Sequence, residues 1–207
     1  MPNIIKIQPV SPVFSVTWNI GTRCNYDCMY CPTSLHDNYS ENSPLAVLQQ
    51  RWQSIYEKTH RRKLKYKISF TGGEVTANKQ FLPLVEWLRT QYSTHIDQIL
   101  LTTNGSASFQ YYKKIFECVN NISFSLHSEH VNEQLFFNKI IKLHQQLESG
   151  KHLHVNIMNE FWNQSQIEKY ITLLNKHAIS HSINAIDYSV QTRSYPIMKG
   201  KLNLGIN

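Results

Sequence analysis

Two hydrophobic periodicities alternate along the chain. Short apolar-rich runs bounded by polar or turn residues read as strands. Longer stretches with apolar residues every three to four positions read as amphipathic helices. The first strand-like run is Val13-Phe14-Ser15-Val16-Thr17-Trp18. After a polar, cysteine-bearing stretch, Leu45, Leu48, Trp52 and Ile55 form a helical stripe. Ser43-Pro44 is its expected start, a cap followed by proline in the first turn. A strand is predicted near residues 66–71, then a helix carrying Phe81, Val85 and Leu88. Gln98-Ile99-Leu100-Leu101-Thr102-Thr103 is the next strand, ended by Asn104-Gly105, and a shorter helix holds Tyr112, Ile115 and Phe116. Ile122-Ser123-Phe124-Ser125-Leu126 is the fourth strand. Val131, Leu135, Ile140, Leu143 and Leu147 mark a long helix that stops near Gly150. Leu153-His154-Val155-Asn156-Ile157 is the fifth strand, Ile167, Tyr170, Ile171 and Leu174 mark a fifth helix, and Ser182 to Tyr188 is the sixth strand.

Strands that alternate with helices argue for parallel βαβ units, six of them here. An incomplete barrel and a doubly wound open sheet both satisfy this pattern. The chain shows no composition break, repeat or low-complexity linker, so residues 1–207 read as a single domain, long enough for one sizeable core. Side chains alternate across a strand with period two. Ser123, Ser125 and His127 therefore share one face, opposite Ile122, Phe124 and Leu126. His154, Asn156 and Met158 share another, and Lys67, Ser69 and Thr71 a third. The apolar faces should meet helices and the polar faces should line the interior. Buried polar groups are costly unless paired, so such an interior implies a wet cavity, a ligand or an internal hydrogen-bonded network.

Charge and hydropathy narrow the classes. The formal charge is +7. That suits an acidic peptide, a nucleotide or a nucleic acid, but a mildly basic surface explains it more simply, and nucleic acid is not the expected partner. Arg61-Arg62-Lys63 with Lys65 and Lys67 is the dense basic run, placed after a helix where cations suit the dipole. Mean hydropathy is −0.40, and no apolar run approaches the roughly 20 residues of a membrane span. The start, Met1-Pro2-Asn3-Ile4-Ile5-Lys6, has no signal-peptide core, so a cytoplasmic protein is expected.

The candidate chemistry lies in Cys24-Asn25-Tyr26-Asp27-Cys28-Met29-Tyr30-Cys31. The spacing CxxxCxxC offers three thiolates from one loop. An iron–sulfur cluster is held by thiolates, and three ligands leave one iron of a cubane open for chemistry. Structural zinc usually takes four ligands, often as two CxxC-type pairs. The remaining cysteine, Cys118, is far along the chain and reads as a small buried apolar residue. His36 is a candidate fourth zinc ligand, though the spacing is not the usual finger pattern. Four cysteines in 207 residues do not suggest a disulfide framework. The spacing favours iron–sulfur and leaves zinc and free thiols as alternatives.

A second motif follows about one βα unit later: Ile68-Ser69-Phe70-Thr71-Gly72-Gly73-Glu74, a strand running into two glycines and an acid. Glycines there let the backbone approach a ligand closely. With both motifs in this order, the chain resembles the radical S-adenosylmethionine (SAM) superfamily. Thr22-Arg23-Cys24-Asn25 and Tyr30-Cys31-Pro32 look most like the branch that includes molybdenum-cofactor and peptide-modifying enzymes. The resemblance implies a parallel, partial (βα)6 TIM-like barrel. It implies a 4Fe–4S cluster on Cys24, Cys28 and Cys31, with SAM chelating the fourth iron. It implies that Gly72, Gly73 and Glu74 hold the methionyl end of SAM and that Tyr30 lies near the adenine. Ser125 and His127 match positions that often contact the ribose or carboxylate of SAM. Asn104, at the rim, either touches cofactor or shapes the turn with Gly105. Asn156 and Asn159 take a similar part after the fifth strand, where the glycine-rich pattern of some relatives is absent. Asp187, Tyr188, Gln191 and Arg193 lie at or after the sixth strand, with Arg193 either pairing a carboxylate or solvated.

Active sites of such barrels lie at the C-terminal ends of the strands, and both motifs fall there. The activity implied is reductive cleavage of SAM at the cluster to a 5′-deoxyadenosyl radical, which takes hydrogen from a substrate, an oxidoreductase-like step in biosynthesis. An electron donor such as flavodoxin or ferredoxin is then needed. The short tail and single cysteine cluster suggest a minimal barrel without an auxiliary-cluster domain, its open side covered by a dimer mate, a protein partner or a large substrate. The first substrate expected is a small biosynthetic metabolite, then a short peptide. A glycyl-radical-type activator of a partner enzyme and a non-enzymatic metal-binding or redox-sensing module are the alternatives.

Overall fold

Strand and helix alternate throughout the part of the chain described here, residues 13–32, 34–160 and 162–186 of a computed structural model. β1 (Val13–Asn19) leads through the cysteine-bearing segment to α1 (Leu45–Thr59). Then come β2 (Lys65–Thr71), α2 (Phe81–Tyr92), β3 (Ile96–Thr103), α3 (Phe109–Cys118), β4 (Asn121–Leu126), α4 (Glu133–Gln145), β5 (His152–Asn159), α5 (Gln164–Lys176) and β6 (Ser180–Ala185). All six strands form one parallel sheet in chain order, β1 to β6. That order has no switch point and excludes the doubly wound alternative. The sheet is open, as the partial barrel requires. Five of the six units carry their helix; no sixth helix follows β6 among the described residues. No described helix is long and apolar enough to cross a membrane.

The two faces of the sheet divide as the alternation predicts. Tyr66, Ile68 and Phe70 of β2, Ile99 and Leu101 of β3, Ile122, Phe124 and Leu126 of β4, and Leu153, Val155 and Ile157 of β5 are buried against the helices. An aromatic seam joins β1, β2, α1 and α2. Trp18 stacks on Trp52 at 6.1 Å, and Trp52 meets Tyr66 and Tyr92 edge-on at 5.2 and 5.8 Å. The opposite face carries hydroxyls and amides in register. Asn19 pairs with Thr71, Thr102 with Ser123, Ser123 with His154, and Ser125 with Asn156. Toward β6 this face satisfies itself: His154 bonds Ser180 and Ser182 at 2.8 and 3.0 Å, and Ser182 donates to Asn156 at 3.1 Å.

Two local expectations change. The α1 N-cap is Pro44, without a side-chain capping bond. Ser43 instead accepts from Arg51 at 3.3 Å. In α4 the inward residues are Phe136, Phe137, Ile140 and Leu143, while Leu135 is 67% exposed. Asn132 caps this helix by accepting from the Leu135 N–H at 3.0 Å, which sets the first turn and sends Phe136 inward at i, i+4, i+7 with Ile140 and Leu143.

These assignments predict contrasting variants. Trp52→Ala removes a fully buried ring and should cost about 3–5 kcal/mol. Leu135→Ala should lie within about 0.5 kcal/mol of wild type. Urea unfolding followed by circular dichroism reads both; equal losses would contradict the assigned helix face.

Candidate functional site

The cysteine loop is tied shut at its base. Asp37 N–H donates to Thr22 O at 3.0 Å and Cys24 N–H to Asp37 O at 2.7 Å, a short parallel bridge at Arg23 and Asp37. The Asp37 carboxylate accepts from Thr22 Oγ1, Tyr39 N–H, Ser40 N–H and Ser40 Oγ at 2.6–3.1 Å. These donors, Ser40 foremost, hold its pKa down at about 2. Inside the loop, Cys31 N–H turns back on Cys28 O at 3.0 Å, and Cys24 Sγ accepts from Tyr26 N–H at 3.4 Å. None of the four cysteines is in a disulfide. Burial pushes the Cys24 and Cys28 thiols up, so metal binding there must displace protons.

The Gly-Gly-Glu segment lies directly on this base. Gly73 N–H donates to Gly21 O and Glu74 N–H to Arg23 O, both at 2.9 Å. A Cβ on Gly73 would lie 2.3 Å from the carbonyl oxygens of Thr22 and Arg23, and one on Gly72 2.4 Å from Gly21 O. The close approach that requires glycine is therefore to the chain leading into Cys24. Glu74 is buried, its Oε1 accepting from Thr76 N–H, Thr76 Oγ1 and Thr103 Oγ1 at 2.5–2.8 Å. Its Oε2 accepts from Asn104 N–H at 2.6 Å. Asn104 also caps its own turn, Oδ1 to Ser106 N–H at 2.9 Å, and its Nδ2 donates to Asn25 Oδ1 in the cysteine loop at 3.0 Å. Of the two roles weighed for Asn104, the structure shows the turn former; the same side chain also ties this turn to the cysteine loop.

The far wall comes from the ends of β4 and β5. Tyr30 Oη donates to Glu160 Oε1 at 2.8 Å and also meets His127 Nδ1. A phenol has one proton, so His127 Nδ1–H is the donor to Tyr30. The same Nδ1 lies 3.6 Å from Cys28 Sγ. Burial, with His130 nearby adding to it, takes the His127 pKa down to about 4, which keeps the imidazole neutral. Glu160 is fully buried and also accepts from Ser128 N–H at 3.0 Å and from the Ser128 hydroxyl. Burial pushes its carboxyl up against those hydrogen bonds. Glu129 accepts from Met29 N–H at 3.0 Å, and His130 stacks on Tyr26 at 5.2 Å. Glu160, Glu129 and Thr103 were not singled out from sequence. Glu160 had a signal, an acid just beyond a strand end, as Glu74 is three residues beyond β2.

These pieces enclose an open cavity of about 310 Å³ at the C-terminal ends of the strands. Cys24, Cys28, Cys31, Tyr30, Gly72, Gly73, Glu74, Asn104, Ser125 and His127 line it, with Tyr26, Leu35, His36 and Thr103. Asn156 lies outside this lining, on β5, where it accepts from Ser182. Asn159 ends β5. Cys118 is half-buried at the end of α3, packed on the core. Asp187, Tyr188, Gln191 and Arg193, with the last part of the expected sixth strand, lie outside the described residues.

Gly73→Ala should destabilise the protein by about 1–3 kcal/mol, because two backbone carbonyls must move. Gly150→Ala meets nothing within 4 Å and should cost only the left-handed strain at φ 80°, about 1 kcal/mol. Thermal unfolding of both tests the steric contact. Asp37 has a folded pKa below its ordinary 3.8, so its contribution is complete above that value and drains away as pH falls toward 2. Asp37→Asn should therefore be less stable than wild type at neutral pH, with the gap closing between about pH 4 and 2. A gap unchanged across that range would show the carboxylate is not the stabilising group.

Comparison with known proteins places this arrangement. GTP 3′,8-cyclase of Agrobacterium fabrum is 32% identical over 112 residues, covering 52% of this chain and 31% of that protein. The Pasteurella multocida enzyme of the same name is 39% identical over 83 residues, 40% and 23% respectively. That of Brucella ovis is 30% identical over 134 residues, 60% and 38%. The chain thus spans well under half the length of the curated relatives it matches. Among solved structures, Streptococcus suis SuiB bound to precursor peptide SuiA superposes with a TM-score of 0.61 at 17% identity, over 87% of this chain and 42% of that one. BtrN in complex with AdoMet and 2-DOIA gives 0.50 at 14% identity, over 87% and 72%. Both are likenesses of fold. The profile of the Radical SAM superfamily matches residues 18–159, from the end of β1 to the end of β5, and so takes in the cysteine loop, the Gly-Gly-Glu turn and the β4 end of the far wall together; the chain belongs to the radical SAM superfamily.

Proposed function

We propose that this protein is a radical SAM enzyme that binds a 4Fe–4S cluster through Cys24, Cys28 and Cys31 and SAM in the adjoining cavity. The observation that carries the reading is the backbone contact of Gly72–Glu74 with residues 21–23, which sets the acid beside the cysteine loop on one cavity. The donor set fits the two groups. Three thiols from one loop suit a cluster with an open iron. Among the described residues, the side chains whose ligand atoms gather within 4.8 Å are Cys28, Glu129 and His130, not the three cysteines. A single zinc on the three cysteines would need sulfurs about 3.8 Å apart, from Zn–S bonds of about 2.3 Å. Glu74 Oε2 takes one of the hydrogen bonds described above and keeps a lone pair for an ammonium group.

When bound, these groups supply one-electron cleavage of the SAM carbon–sulfur bond and, from it, hydrogen abstraction from a substrate. The chain's own residues orient and enclose. Asp37 and the Thr22–Cys24 bridge hold the thiols in place. Glu74, kept rigid by Thr76, Thr103 and Asn104, presents a carboxyl group in a fixed position. Tyr30, braced by His127 and Glu160, forms an aromatic wall on the nucleoside side. Ser125 and His127 offer polar contacts at the β4 end. The hydroxyl- and amide-rich concave face favours a small, hydrogen-bonding metabolite, with a short peptide as the second substrate class. SuiB, similar in fold, was solved with a precursor peptide, which keeps the peptide class in view. Activation of a partner enzyme is the remaining enzymatic option. Flavodoxin or ferredoxin is the proposed electron source.

The Cys28–Glu129–His130 grouping favours one competing reading, a non-enzymatic metal site. Anaerobic reconstitution separates the two. Cys24→Ala, Cys28→Ala and Cys31→Ala should each lose the cluster's visible absorption. Glu129→Gln and His130→Ala should keep it. Loss of metal in the last two variants but not in Cys24→Ala would favour the metal module. Glu74→Gln should retain the cluster and bind SAM about tenfold or more weakly; loss of iron instead would contradict its assigned role.

A further inference from the structure

His36 stands apart from the residues used so far. It lies beyond the three cysteines, one residue before the Asp37 bridge that closes their loop. It is 4% exposed, yet it lines the cavity. Its Nε2 is 3.2 Å from Asp27 Oδ1. Its Nδ1 is buried and has no hydrogen-bond partner. Among the described residues, the other buried side-chain atoms left without a partner belong to Trp52, Asn78, Asn121, Asn159 and Asn163, none of which lines the cavity.

The tautomer follows from the anchor. An ionised carboxylate only accepts, so Nε2–H is turned to Asp27, and in that tautomer Nδ1 offers a lone pair. A buried acceptor with nothing to accept is a cost that a bound donor removes. Cluster sulfides and cysteine thiolates are themselves acceptors and do not match it. The matching group is an N–H or O–H on the organic molecule in the cavity. Glu74 already answers the ammonium group there, which leaves the amino and hydroxyl donors of a nucleoside.

We infer that His36 is a binding residue for SAM, its Nδ1 accepting a hydrogen bond from an amino or hydroxyl group of the adenosyl moiety, while Asp27 fixes the ring. This inference rests on the SAM site proposed above. Two amide variants separate the two nitrogens. The amide of Asn sits where Nδ1 sits, and that of Gln reaches the position of Nε2. The probe is S-adenosylhomocysteine, which keeps the adenosyl donors and is not cleaved. Its affinity is measured by equilibrium dialysis on reconstituted protein, with cluster absorption and melting temperature recorded alongside. His36→Asn should bind within about threefold of wild type, since it retains the acceptor. His36→Gln should keep the Asp27 contact, the cluster and the melting temperature, yet bind about tenfold more weakly. If Gln binds as well as wild type, or Asn binds no better than Gln, the ring serves only to clip Asp27 and the inference is overturned. Wild-type protein that forms its cluster but binds no S-adenosylhomocysteine would instead remove the SAM site itself, and this contact with it.

Discussion

The architecture of the site depends on one backbone contact, the approach of Gly72 and Gly73 to residues 21–23. A Cβ at Gly73 would sit inside two carbonyl oxygens, so the contact exists only because that position has no side chain. Through it, the end of β2 becomes the floor on which the cysteine loop is built. Gly73 and Glu74 donate their N–H groups to Gly21 and Arg23, and the latter pair leads straight into Cys24. The same few residues then place the Glu74 carboxylate, which collects donors from Thr76, Thr103 and Asn104 and so extends the contact to β3.

From that floor the loop is tied across the barrel mouth. Asn25 meets Asn104 beyond β3, Met29 meets Glu129 beyond β4, and Tyr30 meets Glu160 beyond β5. Each tie links the first rim loop to a different strand end, so the cysteines are positioned by most of the sheet rather than by their own short segment. Burial has an electrical consequence as well. It disfavours the charged forms of Cys28, Tyr30 and His127 alike. Beside them on the same cavity lies the Glu74 carboxylate, held by its own hydrogen bonds.

Much of this was legible in the chain. Alternating faces such as Ser123/Ser125 against Ile122/Phe124 located the strands and the polar interior, because side-chain period is a local property; the strand order did not follow from that pattern, which a doubly wound sheet also satisfies, and came from the structure. The motifs at Cys24–Cys31 and Gly72–Glu74 were legible because their spacing is contiguous. Glu160 was not singled out, since its importance comes from Tyr30, 130 residues away, and no local pattern records that pairing. Leu135 was misplaced for a related reason: two apolar neighbours, Leu135 and Phe136, compete for the inward position, and the Asn132 cap decides between them. The need for glycine at position 73 was visible, but the surface it approaches was not; the structure shows backbone there.

The central claim is that this fold holds a cluster and SAM together for reductive cleavage. The most direct measurement is anaerobic reconstitution followed by reduction with excess SAM, reading the release of 5′-deoxyadenosine. Cluster-dependent release, absent in Cys28→Ala, is the result this account predicts. Stoichiometric zinc in place of iron, with no SAM binding and no 5′-deoxyadenosine, would contradict it.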